Sequence, residues 1–280
     1  MKIRQYIVTY NNSDILNNWI LRSVDEHLSI DQRKFVETVV INNHSNFFIE
    51  PRYIEMGIKV RHNIMRPDFS TGHLARNWNE CIIDGFKSLT HSDCDIVILI
   101  QHDTIIKSNY IDKLIYLHFD QKINFYTAGS GDQFVSQTVG AIKRVGLWDE
   151  RFCNIGYQEA DYFMRQLLYN SDNISLNDHD HLRTHNVIDL ELLENTLPGL
   201  KRRDDHHKVS SRFHNYCGKL WYNKYNYNHW NWDTNYILAN KEKIVNKVPY
   251  YVYYPYFEKD VDTLVAQGLI WDRVEDVTWF

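Results

Sequence analysis

The chain has 280 residues, enough for one large domain or for a domain with an appendage. Its 44% hydrophobic and 24% charged content is ordinary for a globular protein, and a net charge of -5 with no long basic run argues against nucleic acid as the main partner. Four scattered cysteines (Cys81, Cys94, Cys153, Cys217) form no C-x-x-C, so reduced thiols are expected in place of a disulfide framework or a cysteine zinc site.

The opening residues, MKIRQYIVTYNN, run straight into a strand with no apolar targeting core, and no apolar run approaches the roughly 20 residues that cross a bilayer. A cytoplasmic protein with no transmembrane segment is expected. The strand candidate Ile3–Tyr10 ends in Asn11-Asn12, and Ser13 then caps a helix to about Leu28 with Ile15, Leu16, Trp19, Ile20 and Val24 on one stripe. Val36–Ile41 is a second strand, ending in Asn42-Asn43, and Ile58–Asn63 a third. A helix is expected from about His73 to Lys87. Asp95–Ile100 is almost uniformly apolar and β-branched, which predicts a strand buried on both faces, and it breaks into Gln101-His102-Asp103-Thr104. A helix from about Asn109 to His118 follows.

This alternation predicts an α/β fold with a mostly parallel, doubly wound sheet. In such sheets ligands bind beyond the carboxyl ends of the strands. Three strand ends there carry short polar side chains, at Asn11, Asn42-Asn43 and Asp103, which suggests a nucleotide-sized crevice. The plainer reading of Asp103 is a turn residue capping the next helix. Beyond Phe125, Tyr126–Gly129 and Val139–Val145 read as short strands around the polar loop Gly129-Ser130-Gly131-Asp132-Gln133. A helix is expected from about Glu159 to Leu168 and a strand at Asn173–Leu176. Leu190–Leu200 and the charged Lys201–Lys208 read as a solvated connection. Eighteen aromatic residues lie between Phe213 and Phe280, which sets that segment apart.

Several ordered motifs within about residues 3–185 carry a family resemblance. They are Val8-Thr9-Tyr10-Asn11, Ile41-Asn42-Asn43-His44-Ser45, Gly72-His73-Leu74-Ala75-Arg76-Asn77, and Gly146-Leu147-Trp148-Asp149-Glu150-Arg151-Phe152 followed by Glu159-Ala160-Asp161 and Arg165. Together they resemble the GT-A-fold glycosyltransferases, especially the inverting, family-2-like group. In overall character the chain also resembles the soluble glycosyltransferases that large algal viruses encode for capsid glycans, which would place it in a host cytoplasm. The resemblance implies a Rossmann-like GT-A domain over 1–212, with a nucleotide-sugar half at about 1–105 and an acceptor half at about 106–212. An aromatic-rich C-terminal segment, 213–280, would pack on it.

The implied activity is transfer of a sugar from a nucleoside-diphosphate donor, UDP by family frequency and UDP-xylose as a specific guess, to a hydroxyl of a glycan acceptor. The resemblance assigns Thr9, Tyr10, Asn11, Asn42, Arg76, Gln101 and His102 to the donor. It also implies Mn²⁺ or Mg²⁺ at Asp103, helped by the later histidines His179 and His181 (His185 is a further candidate). Gln101 stands where the family's D-x-D has its first Asp. An inverting displacement needs a carboxylate base. Glu159 falls at the family's catalytic Asp, and Asp161 is its rival, although four residues before Arg165 it has the spacing of a helical ion pair. Asp132 would orient a sugar hydroxyl or merely turn its loop. The competing readings are a catalytically silent glycan-binding protein on this scaffold, a sugar nucleotidylyltransferase and, more distantly, a metal hydrolase.

Overall fold

A computed structural model describes residues 1–9, 13–43, 46–63, 72–129, 131–150, 152, 156–175, 188–192, 214–227 and 233–244. Strand β1 (Ile3–Thr9) is buried along its whole length. Helix α1 then runs through Ser13–Ile15, a π-helical Leu16–Leu21 and Arg22–His27, burying Ile15, Leu16, Ile20, Leu21 and Val24, while Trp19 faces outward. Ser13 does not cap it; its hydroxyl accepts from the Phe48 N–H at 2.9 Å. β2 (Val36–Asn42), α2 (Pro51–Glu55, with proline in the first turn), β3 (Lys59–His62) and α3 (Gly72–Phe86) follow. Then come β4 (Ile96–Gln101), β5 (Thr104–Ile106) and α4 (Tyr110–Ile115), which a π turn at Tyr116–Asp120 prolongs. The second half holds β6 (Phe125–Ala128), β7 (Phe134–Gln137), α5 (Val139–Val145), α6 (Tyr157–Asn170), β8 (Ile174–Ser175), β9 (Leu190–Leu192), α7 (His214–Tyr225) and α8 (Thr234–Ala239).

The central sheet has seven strands in the order β3-β2-β1-β4-β7-β6-β8. It is mostly parallel, with β7 antiparallel to both of its neighbours. Alternate residues of a strand face opposite sides. Tyr6 and Val8 join a core with α3, α5, α6 and α7, and Ile3 and Ile7 join a second core with α1 and α4. Helices therefore cover both faces, the arrangement that the near-continuous apolar strands require. Gly85 lets α3 lie close on the sheet: a Cβ there would collide with the Val97 side chain.

Three local expectations are corrected. Val139–Val145 is a helix, because Ala141, Ile142 and Val145 recur at helical spacing and all three are buried. The polar loop is instead followed by strand β7, at Phe134–Gln137. Leu190–Leu192 is not solvated connection but a strand, pairing antiparallel with β5. From the C-terminal segment, Cys217, Trp221, Tyr225, Ile237 and Ile244 enter the same core as Phe152 and Tyr157. Full burial of each large apolar side chain stabilises by about 1.5–3 kcal/mol. No helix among the described residues is long and apolar enough to cross a membrane.

Candidate active site

Parallel pairing sets the carboxyl ends of β1, β2 and β4 side by side: Thr9 is opposite Asn42, and Val8 opposite Gln101. Thr9 is fully buried, and its hydroxyl has no hydrogen-bond partner among the described residues. The Asn42 amide lies 3.0 Å from His62 Nδ1, which ties β2 to β3. Beyond Gln101 the chain turns at once. The His102 N–H donates to the Val8 carbonyl (3.2 Å), and His102 and Asp103 are both buried. The turn is roofed by the loop before β7, whose Gln133 carbonyl accepts from the Gln101 N–H (3.0 Å) and the Thr104 hydroxyl (3.3 Å).

Two of the sequence motifs clamp onto each other. On α3, Arg76 Nε reaches Glu150 Oε2 at 3.0 Å, and the Arg76 side chain keeps 36% of its surface exposed. Asn79 donates to the other Glu150 oxygen and to the Trp148 carbonyl, each at 2.9 Å, and accepts from the Trp148 N–H at 2.8 Å. Trp148 in turn stacks on Tyr162 of α6, with 4.2 Å between ring centroids and 6° between planes. This chain of contacts ties α3 to α6 through Trp148.

Two acidic side chains lie close enough to feel each other's charge where α6 begins. Asp132 is only 4% exposed and is held by Trp78 Nε1 (2.8 Å), Gln101 Nε2 (2.7 Å) and, more loosely, Gln158 Nε2 (3.5 Å). Glu159, in the first turn of α6, accepts from the Gly156 N–H at 3.1 Å and is half-buried. Gly131 is pressed against it: a Cβ at Gly131 would stand 2.9 Å from Glu159 Oε1. Burial, then the charge of Asp132, push the Glu159 carboxyl up to about 8, with the backbone N–H groups opposing. Burial also raises Asp132, against the pull of its Trp78 and Gln101 donors.

Asp161 has a different environment. It is fully buried and held by Arg165 Nε (3.0 Å), Lys224 Nζ (2.6 Å) and the Tyr225 hydroxyl (2.7 Å). Lys224 also reaches Asp149 at 2.9 Å, so two buried carboxylates and two buried cations balance one another. The network ties α7 to α6 and to the loop after α5. Burying such charges is tolerable only when all are paired.

The structure thus brings Thr9, Asn42, Gln101, His102 and Asp103 to one sheet edge, places Glu159 beside it through Asp132, and sets Asp161 apart. Tyr10, Asn11, His179 and His181, like His185, lie outside the described residues. The described residues do not by themselves fit a divalent-cation centre. Asp103 is 3% exposed, and no three His, Cys, Asp or Glu side chains among them converge on a common point. Sequence reasoning missed Trp78, Gln158 and Lys224. Trp78 directly follows the Gly72–Asn77 motif, which is a usable signal, whereas nothing near Lys224 announces its partners.

No protein-family model matches the chain, and no curated protein matches it. Solved structures do. Residues 1–349 of TarS from S. aureus, in complex with UDP, align over 64% of this chain and 59% of that one, at 12% identity and TM-score 0.45. The mannosyltransferase PcManGT from Pyrobaculum calidifontis, in complex with GDP-Man and Mn2+, aligns over 58% of this chain and 52% of that one, at 12% identity and TM-score 0.38. Glucosyl-3-phosphoglycerate synthase from Mycobacterium tuberculosis, in complex with Mn2+, UDP and phosphoglyceric acid, aligns over 62% and 67% respectively, at 16% identity and TM-score 0.41. The match therefore spans about three fifths of the TarS fragment.

Proposed function

We propose that the chain is a glycosyltransferase that moves one sugar from a nucleoside-diphosphate donor to a hydroxyl of a glycan acceptor, by a single inverting displacement with Glu159 as the base. One observation carries this reading. Of the two candidate carboxylates, Asp161 is sealed among Arg165, Lys224 and Tyr225, while Glu159 is half-buried and its carboxyl is pushed up to about 8, within reach of the pH at which proton transfer is wanted. A proton acceptor works best when its pKa lies near the working pH.

The acceptor oxygen attacks the anomeric carbon, its proton passes to Glu159, and the bond from the anomeric carbon to the diphosphate oxygen breaks. The electron pair of that bond leaves with the nucleoside diphosphate. Developing negative charge on the leaving group calls for a positive side chain. Arg76, part-exposed with its Nε held by Glu150, is assigned to it. Thr9, with Tyr10 and Asn11 beyond it, is assigned to the nucleotide, and Asn42 shapes the rim through His62.

Calorimetry with a panel of UDP- and GDP-sugars, UDP-xylose included, with and without Mn²⁺, tests donor binding. Donor-hydrolysis and transfer assays then test turnover. Glu159→Gln should bind the donor and lose about a hundredfold or more in rate. The reading fails if no nucleotide sugar binds, or if Glu159→Gln turns over normally. A silent glycan-binding protein is the second reading, favoured by Gln101, an amide where the family has a carboxylate, whose Nε2 is committed to Asp132. Glycan binding without turnover, unchanged in Glu159→Gln, would select it.

A further inference from the structure

We propose that Asp132 and Glu159 are a carboxylate pair sharing one proton at neutral pH, with Asp132 the buried anion and Glu159 the accessible member that carries the proton. Asp132 is then a positioning residue, acting on chemistry through Glu159. The geometry has three parts. The two residues are brought together from both sides: Gly131, next to Asp132, lies against Glu159 Oε1, and Gln158, next to Glu159, points its amide at Asp132 Oδ2 from 3.5 Å. The N–H donors are unequally divided, since Asp132 receives close side-chain bonds from Trp78 and Gln101, whereas Glu159 is faced, among the described residues, by backbone N–H groups alone, that of Gly156 at 3.1 Å and its own. Donors favour the charged form of the carboxylate they face, so the shared proton rests on Glu159.

The surrounding charges do not cancel this. Arg76 on α3 is committed to Glu150, and Arg165 on α6 to Asp161. Lys224 on α7 serves Asp149 and Asp161. Among the described charged groups, Asp132 is the one whose charge raises the proton affinity of Glu159. The pair supplies a reason for Gln101. Its Nε2 holds Asp132 as the anion, a task that an aspartate at position 101 would oppose by repulsion. The meaning for catalysis rests on Glu159 being the base, but the proton count does not. In that reading Glu159 becomes a base only once the shared proton is gone, as pH rises or as positive charge arrives beside Asp132.

The test is a titration of the full chain labelled with ¹³C at the Asp and Glu carboxyls, from about pH 4 to about pH 10, with signals assigned through Asp132→Asn and Glu159→Gln. Both signals should move at both steps, and the Glu159 midpoint should lie well above the ordinary carboxylate range of about 4.3. In Asp132→Asn, which keeps the shape and leaves Trp78 an acceptor oxygen, that midpoint should fall by about one pH unit or more. An unchanged midpoint, or an ordinary one in both proteins, overturns the pair. If Asp132→Asn does not fold, the unmutated protein decides alone, because two independent single-step titrations are equally fatal. A coupled titration in a protein that turns over no donor would instead sink the transferase reading and leave the pair standing.

Discussion

Replacing Glu159 with glutamine should stabilise the protein at alkaline pH while removing the transfer activity proposed for it. The Glu159 carboxyl is raised from 4.5 to about 8 by burial and then by the charge of Asp132. The folded state therefore holds this proton more tightly than the unfolded chain does. Between those two values the unfolded state binds fewer protons, so stability falls as pH rises. At about 1.4 kcal/mol for each pH unit, the full interval sets a ceiling on the order of 4–5 kcal/mol. Glu159 is half-buried, so water screens part of this, and Asp132 shares the rest, which leaves about 1–2 kcal/mol. Glutamine does not titrate, keeps nearly the same shape and retains an oxygen for the Gly156 N–H. Thermal unfolding of both proteins at about pH 4.5 and about pH 8.5 should show equal midpoints in acid. At the higher pH the variant should melt about 2–4 °C above the parent. A variant that is less stable than the parent at pH 8.5, or displaced equally at both pH values, would refute the reasoning.

Three further outcomes follow from the same contacts. Lys224→Met leaves Asp149 and Asp161 short of a buried cation, and should cost about 3–5 kcal/mol in urea unfolding; a loss below about 1 kcal/mol would show that the network is not what holds α7 to α6. Gly131→Ala puts a methyl where φ is +58° and where Glu159 Oε1 lies 2.9 Å away, so it should lose about 1 kcal/mol or more and reduce any transfer rate, whereas unchanged values of both would mean the loop gives freely. His118 is buried between the Ile123 carbonyl and the Ser136 hydroxyl, and burial pushes it down to about 4 against the carbonyl bond. In this case the unfolded chain gains a proton first as pH falls from about 6.5 toward 4, so up to about 3 kcal/mol should be lost across that window. His118→Gln should flatten the slope, and an unflattened slope assigns the acid lability elsewhere.

What the sequence made legible, and what it hid, follows from where each signal resides. β1, β2 and β4 are strands covered on both faces, so their apolar runs announce themselves in any short window. β7 was hidden because Ser136 and Gln137, fully buried, are polar; their partners His118 and Tyr162 come from other elements, and without them the segment reads as loop. α5 reads as a strand because β-branched residues close both ends of a helix whose burial pattern is nonetheless helical. Glu159 and Asp161 could not be separated by position, since both belong to the opening turns of one helix. What separates them is Lys224 and Tyr225, far along the chain in the segment that its aromatic content sets apart. Position 101 makes the point most sharply. Read in its own window, Gln101 is a D-x-D that has lost a carboxylate. In the folded chain its amide binds Asp132, so a carboxylate still stands at the end of β4, delivered by the turn before β7. Charge at a strand end belongs to whatever folds onto it, and a motif scan reports one strand at a time.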